Sequence, residues 1–174
     1  FATCELENEQ CYEHSATSKR LTGQLSLESK KQYLYDGIPA EITLLSYSSV
    51  ASLTPELRHF LRRNKVMVVL DEAHKIKNTS GGIVAQSVMS LAAESSARVV
   101  LTGTPAPNGY EDLYNLFKFI WPTKKVIRFQ PGQLRDMSKN TEDYRVKTLV
   151  NQISPYFMRV KKSDLNIPEP TIHP

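Results

Sequence analysis

The sequence predicts an α/β fold, a parallel sheet with helices on both faces. Two runs, VMVVL (66–70) and RVVLT (98–102), are apolar almost without interruption, as strands covered on both sides are. Around them lie segments with apolar residues at helical spacing, so strand and helix alternate, and right-handed crossovers then make the strands parallel. In such sheets functional groups gather at the carboxyl ends of the strands.

In chain order, ITLLSY (42–47) follows the turn-like DGIP and reads as a strand. A helix over 55–64 comes next, with Thr54 as its cap, Pro55 at its first position and Leu57, Phe60 and Leu61 on its inner face, while Arg58, Arg62 and Arg63 face outward. VMVVL is the following strand. After Gly81-Gly82, the residues Val84, Val88, Leu91 and Ala92 mark another helix, and RVVLT another strand, stopped by GTPAPNG. Leu113, Leu116, Phe117 and Ile120 share one face of a helix ending at Trp121-Pro122. From 123 onward the periodicity weakens: Pro131-Gly132 signals a turn, 138–147 is polar, and Pro168, Pro170 and Pro174 stud the tail. The chain thus divides into a lobe over 1–122 and an irregular basic extension over 123–174.

At 174 residues, 40% hydrophobic and 23% charged, the chain has enough apolar material for one core. Apolar runs stop at about five residues and no basic-plus-apolar leader opens the chain, so no membrane span is expected, and the cytoplasm, or the nucleus in a eukaryote, is the expected compartment. Cys4 and Cys11 match neither a CxxC pair nor a disulfide framework and read as reduced thiols; adding His14 leaves too few ligands for a metal. The net charge of +4 is uneven: residues 1–117 hold 11 Lys/Arg against 13 Asp/Glu, and residues 118–174 hold 11 against 5. The later, basic part suits phosphate-backbone contact or is simply solvated.

The strand VMVVL ends abruptly in Asp71 and Glu72. Adjacent carboxylates at the tip of a buried strand are costly unless a cation or hydrogen-bond donors meet them. A divalent metal at Asp71, with Glu72 deprotonating a water that attacks a phosphate, would use the pair; capping of the following turn would use it equally.

The octet DEAHKIKN (71–78), taken with LTGTPAPN (101–108), resembles two successive motifs of the Swi/Snf-like DNA translocases of helicase superfamily two. LLSYSSV (44–50) resembles the family's upstream strand motif, LYNLFKFIWP the helix after its third motif, and SPYFMRVKKSDLNIPEP the passage towards a second lobe, so the likeness runs over 42–174. The resemblance implies a RecA-like lobe in which Asp71 contacts Mg²⁺, Glu72 activates water for ATP hydrolysis, and His74 hydrogen-bonds Thr102 and Thr104. Gly103 would give that turn its backbone freedom. Ser46, Tyr47, Lys75 and Lys77, with Lys161 and Lys162 in the basic tail, become candidates for contact with double-stranded DNA.

Departures accompany these matches. Ala106-Pro107-Asn108 stands where the family usually carries Leu-Gln-Asn. A P-loop needs GxxxxGK followed by Ser or Thr, and no glycine here is followed by lysine. The expectation is therefore a truncated first motor lobe of an ATP-dependent translocase, partnered by its own P-loop segment and second lobe outside this sequence, with strand 98–102 left as an open edge prone to self-association. The competing reading is a degenerate lobe that docks nucleic acid or protein without hydrolysis. An RNA helicase is disfavoured by Gly-Thr-Pro where such enzymes commonly carry Ser-Ala-Thr.

Overall fold

The computed structural model describes residues 15–77, 82–140 and 142–159. In chain order the elements are β1 (Ser18–Arg20), α1 (Leu27–Asp36), β2 (Ile42–Leu44), α2 (Tyr47–Ser52), α3 (Thr54–Arg63), β3 (Met67–Leu70), a 3-10 turn (Ala73–Ile76), α4 (Ile83–Leu91), β4 (Ala97–Val100), α5 (Asp112–Ile120), α6 (Pro131–Lys139) and α7 (Tyr144–Ile153). The fold is α/β and both strand pairings are parallel, β1 with β2 and β3 with β4, as a RecA-like lobe requires. Among the described residues the pairs do not join into one sheet. Between them runs a groove of about 360 Å³ lined by Thr43, Leu45, Val66 and Val68 among others.

Nor do helices cover both faces of β3 and β4 among the described residues. On one face Leu70 is buried, and Val68 and Val100 pack with it against Ala73, Ile76, Val88, Leu116 and Phe119. Strand geometry sends the alternate side chains the other way, and there Met67 is 59% exposed, Val69 46% and Val99 36%. The apolar runs of these strands do predict two covered faces, but only one has its cover within the described residues. Around α3 a second cluster gathers Leu21, Leu34, Leu53, Leu57, Phe60 and Leu61.

The predicted helices over 55–64, 84–92 and 113–120 correspond to α3, α4 and α5. Two local differences are instructive. The strand expected over 42–47 stops at Leu44, because Ser46 accepts a hydrogen bond from the Ser49 N–H at 3.2 Å and starts α2 at Tyr47. Thr54 does not cap α3; its hydroxyl donates to the Val50 carbonyl at 2.8 Å and closes the end of α2 instead. On the outer face of α3, Arg58 and Arg62 converge on Glu94 at 2.8 and 2.5 Å, fastening the helix to the end of α4.

The stretch after Trp121 is not irregular throughout. Pro131 opens α6 rather than making a turn, and the Gln130 N–H donates to the Gln133 side chain at 2.9 Å in the manner of a capping box. With α7 and the loop before α6, it builds a third core from Leu113, Phe117, Val126, Ile127, Leu134, Met137 and Leu149.

Candidate active site

The end of β3 turns sharply. Glu72 sits in the left-handed region (φ 50°, ψ 47°), a conformation costing a residue with a side chain about 1 kcal/mol or more. Its N–H donates to Asp71 Oδ1 at 2.9 Å. Three further bonds fix the turn from outside. The Tyr47 hydroxyl donates to the Asp71 carbonyl at 2.8 Å, the Ala73 N–H to the Leu101 carbonyl at 2.9 Å, and Asn115 Nδ2 to the Ile76 carbonyl at 3.0 Å. Ala73 and Ile76 are fully buried beneath, so the acids are held at the surface by an anchored base.

Asp71 and Glu72 are both exposed, and among the described residues neither has a lysine or arginine partner. The neighbour of Glu72 is His74, whose Nδ1 lies 3.1 Å from Oε2, close enough to pair when the ring is charged but not aligned for a hydrogen bond. Negative charge at the turn is felt by Tyr47: its phenol is pushed up to about 12, first by burial and then by Asp71 and Glu72. Lys75 places its ammonium 5.3 Å from the centre of the same ring.

Two hard carboxylates with no lysine or arginine partner among the described residues suit Mg²⁺, which takes one or two protein oxygens and completes its shell with water and phosphate. The described residues contain no cluster of three or more His, Cys, Asp and Glu that could enclose a metal.

A family model described as SNF2-related domain matches residues 11–173. The chain belongs to this family. Curated relatives include a chromodomain-helicase-DNA-binding protein 8 of Danio rerio, 30% identical over 88% of the chain. The DNA excision repair protein ERCC-6 of Mus musculus is 27% identical over 72% of it. A SWI/SNF-related regulator of chromatin containing DEAD/H box 1, from Xenopus tropicalis, is 28% identical over 80% of it. The chain spans 6%, 9% and 15% of the lengths of these three proteins.

Within this SNF2-related domain the residues singled out by sequence fall into three groups. Asp71, Glu72, His74, Lys75 and Tyr47 share one surface around the acid turn. Ser46 lies next to it, its hydroxyl engaged in capping and within 2.9 Å of the Ser48 and Ser49 hydroxyls. Lys77 closes the 3-10 turn, its N–H donating to the His74 carbonyl at 3.3 Å.

The LTGTP turn forms the second group. Thr102 Oγ1 accepts from the Thr104 N–H at 3.3 Å, but no hydrogen bond joins either threonine to His74. The two motifs are linked instead through backbone, by Ala73 and Leu101. Gly103 is not in the left-handed region and an added Cβ would meet nothing within 4 Å, so this turn does not depend on glycine there. Further along the same loop Gly109 is tighter, at φ +153°, where a Cβ would lie 2.5 Å from Glu111 Oε2 and 2.6 Å from Ser138 Oγ of α6. Lys161 and Lys162, the third group, lie outside the described residues, as do Cys4, Cys11 and His14.

Sequence reading missed two supporting residues. Asn115 lies off the Leu113, Leu116, Phe117 and Ile120 face of its helix, and nothing in LYNLFKFI singled it out. Arg98 sits in β4 yet donates to the Ile120, Ala92 and Ser95 carbonyls at 2.7 to 2.9 Å, tying together the ends of α4 and α5.

Proposed function

We propose that this SNF2-related chain supplies the metal- and water-handling acid turn of the first motor lobe in an ATP-driven double-stranded DNA translocase. The observation that carries the reading is the pair of adjacent, exposed carboxylates, unpaired with any described lysine or arginine and locked by backbone to the neighbouring LTGTP turn.

In this reading Asp71 holds Mg²⁺, which supplies charge neutralisation at the phosphates of bound ATP. Glu72 accepts the proton of the attacking water, a role distinct from that of Asp71. His74 stands beside the Glu72 carboxylate, Nδ1 3.1 Å from Oε2, where a charged ring would pair with it. The Ala73 to Leu101 bond carries any shift of the acid turn into Thr102, Gly103 and Thr104, and Asn115 carries it into α5. This backbone route replaces the imidazole-to-threonine link expected from sequence.

The β,γ-phosphate cradle and a second lobe belong, on this reading, to parts of the protein outside these residues. The uncovered face of β3 and β4 is where the P-loop segment would pack. Contact with DNA is assigned to Lys161 and Lys162 in the basic tail, and to Ser46, Lys75 and Lys77 around the acid turn. Tyr47 has its hydroxyl engaged on Asp71, so its role is to brace the turn and present Lys75. Relatives named for DNA binding, excision repair and chromatin support DNA as the track, and the nucleus as the compartment in a eukaryote.

The test is Mg²⁺-dependent nucleotide binding by the complete protein. Asp71→Asn should weaken binding of a fluorescent ATP analogue in the presence of Mg²⁺ and leave the residual binding in EDTA unchanged. Equal affinity of the two proteins with Mg²⁺ would remove the assignment and favour a docking module without hydrolysis.

A further inference from the structure

Away from the acid turn, the end of α5 and the loop that follows enclose a cavity of about 180 Å³. Its floor is apolar, with Phe117 and Ile127 buried and Tyr114 and Trp121 half-buried. Its rim is cationic. Lys118, Lys124 and Lys125 line the cavity and are exposed, and among the described residues none of the three has a carboxylate partner.

The aromatic wall is organised around one of these cations. The Lys124 ammonium donates to the Tyr156 hydroxyl at 2.9 Å and lies 5.3 Å from the centre of that ring and 5.7 Å from that of Trp121. Trp121 and Tyr156 meet edge-on at 5.4 Å. Trp121 Nε1 is buried and has no acceptor among the described residues, a state that costs about 1–3 kcal/mol for a neutral donor. The indole N–H and the three ammonium groups thus give the site a donor-rich, positive character.

We infer that this cavity docks a short acidic peptide segment of a partner protein, with one apolar side chain in the cavity and flanking carboxylates on the three lysines. Charge complementarity sets the sign of the partner. Shape sets its class. Duplex DNA would satisfy the lysines through phosphates, but its bases are stacked within the helix and it has no apolar side chain to place in a concave, aromatic-walled cavity. A peptide with a leucine between acidic residues satisfies both halves of the site, the apolar anchor supplying burial and the charges register. The inference does not depend on hydrolysis at the acid turn, which lies on other elements.

Trp121 is the single tryptophan of the chain, so its emission reports on this site alone. The 174-residue chain is titrated with a synthetic peptide bearing one leucine among aspartates and glutamates. Parallel titrations use the same peptide with alanine for leucine, and a short DNA duplex. The leucine peptide should shift Trp121 emission saturably and lose affinity with added salt. Lys118→Glu with Lys125→Glu should weaken it by about tenfold or more; both residues are exposed and far-UV circular dichroism verifies that the variant is folded. No saturable shift with the leucine peptide overturns the inference. So does an equal response to the alanine peptide, which would mean bare charge attraction, or a response to the duplex alone.

Discussion

The face of β3 and β4 bearing Val68, Leu70 and Val100 lies on a packed cluster, whereas the face bearing Met67, Val69 and Val99 is open, with Leu101 just beyond it 50% exposed. The helices after Trp121 find cover for their inner stripes: Leu134 and Met137 are fully buried and Leu149 is 1% exposed, while Tyr144 and Val150 on α7 face solvent. Both regions are built from similar apolar residues. The difference is that α6 and α7 turn their apolar stripes onto α5 and close a core between themselves, while two short parallel strands have two faces and one set of helices. The acid turn belongs to the open region. In the proposed reading, a site that would accept phosphates, metal and a second lobe is carried on the region whose apolar strands are covered on one face only among the described residues.

The contrast can be broken most sharply by truncating one residue from each region. Leu134→Ala should destabilise the chain by about 2–5 kcal/mol through lost burial and the cavity left behind, and Met67→Ala should stay within about 0.5 kcal/mol because its side chain already meets solvent. Urea denaturation of both variants decides this; a large loss from Met67→Ala would mean that the face is covered after all.

An open apolar face with an unpaired edge strand also predicts self-association. Light scattering across a concentration series should show the isolated chain growing in mass, and Val99→Lys should reduce that growth. A strictly monomeric wild-type chain would contradict the open face.

A smaller effect sharpens the account of the acid turn. Tyr47 keeps its proton in the folded chain to about pH 12, against 10 for an unperturbed phenol. Its folded pKa is raised, so the stabilisation is complete below pH 10 and is lost as pH rises towards 12. Tyr47→Phe should remove this alkaline sensitivity and cost about 0.5–1.5 kcal/mol at neutral pH, the worth of one hydrogen bond. Tyrosinate absorbance and denaturation at several pH values measure both.

What the sequence made legible follows the same division. Five consecutive apolar residues before Asp71 announce β3 at once, and helical spacing announces α3, α4 and α5. The third core was hidden because Leu134, Met137 and Leu149 are spaced among polar residues, and because Pro131-Gly132 has the same letters whether it makes a turn or opens a helix. β1 has no apolar residue at all and exists only by pairing with β2. At the site, DEAHKIKN and LTGTP drew attention to two turns that the structure sets side by side through the Ala73 to Leu101 bond. What joined them was not legible, since a backbone bond between Ala73 and Leu101 leaves no mark on side-chain identity, and Tyr47 gave no sign that its hydroxyl would reach Asp71.

The functional claim rests on Glu72, and one measurement reaches it most directly: DNA-stimulated ATP turnover of the complete protein, wild type against Glu72→Gln, with nucleotide binding measured alongside. The amide cannot take a proton from water but keeps the size of the side chain, so turnover should fall by about a hundredfold or more while ATP binding is retained. Unchanged turnover in the Glu72→Gln protein would contradict the account.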